Sequence, residues 1–113
     1  MTKAAEDREK KLFGMIGLAQ RAGKLRTGEF MTEKSVKSGR SKLCLIASDA
    51  SEVTRKRFMD MCRLRKVPVL ICDFDKETLG HTAGKELRSS ASVEDAGFAG
   101  KISQLIEGGN VNE

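Results

Sequence analysis

The stretch from Lys42 to Cys72 reads KLCLIASDASEVTRKRFMDMCRLRKVPVLIC, and its changes of pattern decide the fold class. Lys42 to Ser48 has a nearly continuous apolar centre, as in a strand covered on both faces. Ser48, Asp49 and Ser51 then offer N-cap side chains to a helix from about Glu52 to Arg65, on which Phe58, Met61, Cys62 and Arg65 share one side. Val67 to Cys72 reads as a second buried strand, with Pro68 at its start, where a missing N–H is tolerated.

The same alternation continues outward. Upstream, Leu12, Met15, Ile16 and Ala19 follow the three-and-four spacing of a helix from Arg8 to Arg21, and Gly23 stands where a C-terminal cap belongs. Lys24 to Thr27 is a short extended piece, and Gly28 opens a second helix that runs through Ser38 and ends at Gly39. Downstream, a short helix around Lys76 to Ala83 leads to Leu87–Val93, a weak strand rich in Ser. The closing helix from Asp95 carries Phe98, Ile102, Leu105 and Ile106. Helices alternating with short strands imply an α/β fold with a sheet held between helix layers.

The 113 residues suit a single domain, with an ordered core from about 8 to 107 and loose ends at both termini. One Pro, 39% hydrophobic and 33% charged residues argue for a folded chain with a solvated surface. The charged N-terminus MTKAAEDREKK lacks the apolar run of a secretory signal, and no stretch approaches the roughly 20 apolar residues of a membrane span. A cytoplasmic protein with no membrane partner is therefore expected. Cys44, Cys62 and Cys72 lie in apolar or helical surroundings without C-x-x-C spacing, so they are expected to be buried, reduced thiols.

Charge is unevenly placed within a net +5. Lys24 to Lys42 carries six basic and two acidic residues, Arg55 to Lys66 six against one, and Val67 onward four against eight. A basic stripe of this kind either holds phosphates by releasing counterions or forms a solvated helix face. Catalysis is disfavoured. His81 is the only histidine, no second metal ligand stands at ligand spacing, and it is expected to face solvent. Gly80 and Gly84-Lys85 lack the spacing of a phosphate loop, and Asp73 and Asp75 read as turn residues. No cofactor and no metal site are expected. With no Trp and no Tyr, the chain has no platform for stacking several unpaired bases, so structured RNA suits it better than single strands. Thr27-Gly28-Glu29 is the one helix-opening glycine turn in the most basic stretch, and helix-opening N–H groups bind phosphate or base acceptors.

Six pieces of the chain resemble a known family in order and spacing. They are GLAQRAGKLRTGE (Gly17 to Glu29), the pair Lys34 and Gly39, SKLCLIASDAS (Ser41 to Ser51), VPVL (Val67 to Leu70), LGHTAGKE (Leu79 to Glu86) and DAGFAGKI (Asp95 to Ile102). Together they resemble the ribosomal-protein family of archaeal L-seven-Ae and eukaryotic L-thirty-e, in its small bacterial branch. The resemblance implies a three-layer α/β/α sandwich with a four-stranded mixed sheet. It also implies binding of structured RNA, ribosomal or messenger, at kink-turns in a translation or ribosome context.

The family's contact motif, G-x-N-E-x-x-K, falls on Gly28, Phe30, Met31 and Lys34, so Phe30 and Met31 replace the Asn and Glu that read guanine edges. A lost bidentate base contact costs about 1–3 kcal/mol of discrimination. Phosphate contacts from Lys24, Arg26, Lys34 and Lys37 survive that change, beside Thr27 and Glu29 of the same turn. The family's second contact, an aliphatic residue against bulged nucleotides, falls on Leu87-Arg88-Ser89, where Leu87 either meets RNA or plugs the core. Ser89, Ser90 and Ser92 make that strand more polar than the family pattern, which predicts an edge or a wetted face. Arg55-Lys56-Arg57 is read as a solvated face in preference to a second RNA site. The alternative to RNA binding is a protein-interaction module that has lost kink-turn recognition and exposes Phe30 and Met31 to a protein partner.

Overall fold

A computed structural model describes residues 2–108; fraying was expected from Gly108 onward, where Gly108 is the last residue of a helix and residues 109–113 lie outside that range. The chain forms α1 (Lys3–Arg21), β1 (Leu25–Thr27), α2 (Glu29–Lys37), β2 (Leu43–Ile46), α3 (Glu52–Arg65), β3 (Val69–Ile71), α4 (Lys76–Thr82), β4 (Ser90–Val93) and α5 (Ala96–Gly108). The first helix starts earlier than its apolar periodicity suggests. Thr2 caps it by accepting from the Ala5 N–H at 3.2 Å, so residues 3–7 are helical where a loose end was expected. The last strand starts at Ser90, three residues later than expected.

The strands form one mixed sheet in the order β1-β4-β2-β3, with β4 antiparallel to both neighbours and β2 parallel to β3. Strand periodicity divides β2 between two layers. Leu43 and Leu45 join Leu25, Ala91 and Val93 under α1, α4 and α5, where Leu12, Ile16, Leu79, Ile102 and Ile106 complete one cluster. Cys44 and Ile46 face the other way, onto Val36 of α2 and Phe58 and Cys62 of α3. The result is the three-layer α/β/α sandwich that the alternation implied.

Two strand assignments are reversed. The apolar run VPVLIC was expected to be buried, yet β3 is an edge strand on which Ile71 is 40% exposed. The serine-rich β4 was expected at an edge or a wetted face, yet it is central, with Ser90 and Ser92 both 0% exposed. Buried hydroxyls are costly unless hydrogen-bonded. For Ser92 a chain meets that need: its hydroxyl donates to Ser41 Oγ at 2.7 Å and lies 2.7 Å from Ser35 Oγ, which donates to a Glu94 carboxylate oxygen at 2.6 Å, whereas the Ser90 hydroxyl has no hydrogen-bond partner among the described residues. Small side chains on β4 also let α2 lie close to the sheet.

All three cysteines are free and buried. The neighbouring Cys62 and burial together push the Cys44 thiol far above its ordinary value, and burial pushes Cys72 up to about 12. His81 is exposed. No helix among the described residues is long and apolar enough to cross a membrane, and none of their His, Cys, Asp and Glu side chains group to hold a metal ion.

Candidate nucleic-acid interface

Thr2, Ser51 and Asp75 cap α1, α3 and α4 with side-chain oxygens, and Asp95 accepts from Phe98 N–H at the start of α5. Helix α2 has no such cap. It opens on Gly28 at φ 90°, ψ 156°, a conformation that only glycine adopts readily, and no side chain closes its first turn. The N–H groups of Glu29, Phe30 and Met31 meet no acceptor among the described residues, so they point outward as ready donors to an anion or a base edge.

The α4–β4 loop is drawn against this turn. Gly28 N–H donates to the Ser90 carbonyl at 3.0 Å, and Arg88 Nε donates to Thr27 Oγ1 at 3.2 Å. The Arg88 side chain passes 3.7 Å from where a Cβ on Gly28 would lie. Ser89 Oγ donates to Glu29 Oε2 at 3.2 Å. Thr27–Glu29 and Arg88–Ser90, far apart in sequence, are thus brought together at one junction.

The residues singled out from the sequence take different parts in it. Phe30 is 77% exposed, Leu87 60% and Met31 38%. Leu87 therefore does not plug the core. Lys24 and Lys34 are exposed and have no ion-pair partner among the described residues. Lys37 is also exposed, but its ammonium lies 2.8 Å from Glu33. Lys37 and Arg57 beside it hold the Glu33 carboxyl below its usual range.

Arg26 and Glu29 are more occupied than the sequence indicated. Arg26 donates to the carbonyls of Gly23 and Leu25 and lies 3.4 Å from Glu94. Glu29 accepts from Arg57 at 2.8 Å, from Ser89, and from Thr54 Oγ1 at 3.4 Å. Its carboxylate ties α2, α3 and the α4–β4 loop together. As a negative charge already filled with donors, it is poorly suited to face phosphate.

Three contributors were missed. Arg57, read as part of a solvated stripe, bridges Glu29 and Glu33 and so fixes α2 against α3; Thr54 supports Glu29 from the same helix. Gly80, weighed as part of a phosphate loop and quoted within LGHTAGKE, is a site of close backbone approach. A Cβ there would fall on the Glu86 carbonyl, and Lys85 N–H donates to the Gly80 carbonyl at 2.8 Å. That crossing folds the 84–88 segment back over α4 and carries Leu87 and Arg88 to the Gly28 turn. A lone Gly between Leu79 and His81 was the one available sign of it.

The chain is 39% identical over 95 residues to the RNA-binding protein YlxQ of Bacillus subtilis, an alignment covering 84% of this chain and 94% of that protein. A solved structure of a protein of unknown function from Bacillus halodurans C superposes with a TM-score of 0.81 at 37% identity, covering 86% of this chain and 97% of the other. The 15.5kD RNA binding protein of Giardia lamblia has the same fold, with a TM-score of 0.72 at 16% identity over 96% of this chain and 89% of the other. The model of the ribosomal protein L7Ae/L30e/S12e/Gadd45 family matches residues 10–103, nearly all of the sandwich. The chain belongs to that family.

Proposed function

We propose that the protein is a non-catalytic binder of structured RNA, acting as one domain in the cytoplasm in a ribosome or translation context, on RNA bent like a kink-turn. The observation that carries this reading is the uncapped N-terminus of α2 at Gly28, with Lys34 free beside it and the Leu87–Arg88 loop held against it. The N–H groups of residues 29–31 and the ammonium groups of Lys24 and Lys34 supply donors and positive charge for phosphate oxygens. Leu87 offers a carbon surface to an unpaired nucleotide. Family membership supports the same class of ligand, and the name of the Bacillus subtilis relative agrees with it.

Phe30 and Met31 set the expected selectivity. Neither side chain carries a group that bonds to a guanine edge, so what they contribute is stacking and apolar contact. This surface reads shape and backbone more than base identity. Its exposure also favours a second reading, a module that docks a protein on Phe30 and Met31, since a side chain 77% in water is not there for the core.

Titration of a standard kink-turn RNA, and of the same RNA with its G·A pairs replaced, across a salt series tests both readings. The expected outcome is binding to both RNAs with a modest preference for the intact one. Affinity should fall steeply with salt, by a slope of about 0.7–0.9 for each phosphate engaged, and Lys34→Ala should remove about one unit of it. Absence of binding to either RNA at low salt would defeat the RNA reading and leave the protein-docking one.

A further inference from the structure

We propose that the groove between α1 and α5, on the opposite side of the sheet from α2, docks an acidic amphipathic helix of a protein partner. The groove is open and has a volume of about 470 Å³. Its floor is Gly14, Met15, Leu18 and Leu105, where Leu18 is 46% exposed and Met15 and Leu105 rest partly on the core.

Gly14 leaves the floor of the groove open. It lies inside a helix, where glycine is a poor residue, and its φ is not positive. A Cβ built on it meets nothing within 4 Å. Neither backbone geometry nor packing in this chain calls for a glycine there. Its effect is to keep the floor low enough for a side chain from outside.

Charge selects the partner. Lys11, Arg21 and Lys101 rim the groove, none is ion-paired among the described residues, and no carboxylate lines it. A basic partner is repelled, and a second copy of this chain presents the same cationic rim. Nucleic acid is drawn to the lysines but gains little from Met15, Leu18 and Leu105, because most of its contacts go to phosphate and sugar oxygens. A helix with an apolar stripe and acidic flanks satisfies both floor and rim. From Lys11 to Arg21, α1 rises about 15 Å, room for roughly three turns of such a helix.

The test is to pan a displayed library of random helical peptides on the full chain and measure the selected peptides against three variants. The expected peptides carry Leu, Ile or Phe at three-and-four spacing, flanked by Asp and Glu. Gly14→Leu fills the groove while improving the helix, so it should cut peptide affinity at least about tenfold with the melting temperature held or raised. Leu18→Asp and the triple reversal Lys11→Glu, Arg21→Glu, Lys101→Glu should each do the same, with kink-turn RNA titrations unchanged. Selected peptides that are neutral or basic, or that bind Gly14→Leu as well as the native chain, overturn the proposal. Loss of RNA binding in the triple reversal also overturns it, by assigning the groove to RNA.

Discussion

Helices α2 and α3 lie side by side on one face of the sheet, and both come from strongly basic stretches, but they hold their charge in opposite ways. Along α3 the charge is largely spent within the protein. Ser51 closes the N-terminus, Lys56 and Arg63 both pair with Asp60, Arg57 bridges Glu29 and Glu33, and Arg65 donates to the Lys37 carbonyl at 2.7 Å. Along α2 the N-terminus is left open at Gly28, Lys34 is unpaired among the described residues, and Phe30 stands in water. Counting charges ranks α3 as high as α2 for phosphate binding. The partners of those charges rank α2 far above it, because a cation already paired with a carboxylate must be released before it can hold a phosphate.

The largest expected effect follows from closing the open end. Gly28→Asp puts a carboxylate against the same N–H groups that would meet RNA, so it caps the helix and repels phosphate at once. At φ 90°, ψ 156° a non-glycine residue is strained by about 1–3 kcal/mol, partly offset by the new cap. Kink-turn affinity should fall about 100-fold or more, while thermal unfolding stays cooperative and circular dichroism stays native. Retained affinity in the folded variant would show that α2 is no more available to RNA than α3.

A middle effect should come from restoring the family's base-reading groups. Phe30→Asn with Met31→Glu places polar side chains where two exposed apolar ones now stand, at little cost to the core. The double variant should gain about 1–3 kcal/mol of preference for the RNA with intact G·A pairs over the RNA lacking them. Isothermal titration of both RNAs gives this difference directly. If the preference is unchanged, those positions do not face the G·A pairs, and the apolar patch belongs to the protein-docking reading.

Element order and layering were legible because burial leaves a local trace. LCLI is apolar on both faces, and α1 and α5 show their buried stripe at helical spacing. Strand position left no such trace. The neighbours that cover β4 come from β1 and β2, and the partners that make Ser92 tolerable are 57 and 51 residues away, at Ser35 and Ser41. The site behaves likewise. Gly28, Lys34 and the 87–89 loop enter as candidates through the resemblance to the family's contacts, but Glu29's engagement by Arg57, Thr54 and Ser89 depends on separate segments meeting. Gly80 carried the weakest sign of all, since a close approach of backbone to backbone is not encoded in residue type beyond the absence of a side chain.

The smallest effect tests the other half of the comparison, on α3 itself. Arg63→Ala removes an exposed partner of Asp60, and Lys56 remains on the same carboxylate at 3.0 Å. Exposed pairs of this kind contribute little, so the melting temperature should move by no more than about 3 °C and RNA affinity by less than about twofold. Arg57→Ala, on the same helix and carrying the same charge change, should weaken RNA binding several-fold more, because it frees Glu33 from α3, leaves Glu29 held to α3 by Thr54 alone, and lets the Gly28 turn drift from its support. Its effect should be largely insensitive to salt, since the residue positions the surface and does not itself hold phosphate. If Arg63→Ala and Arg57→Ala lose the same affinity with the same change in salt slope, then α3 meets RNA through its charges, and the contrast between the two helices fails.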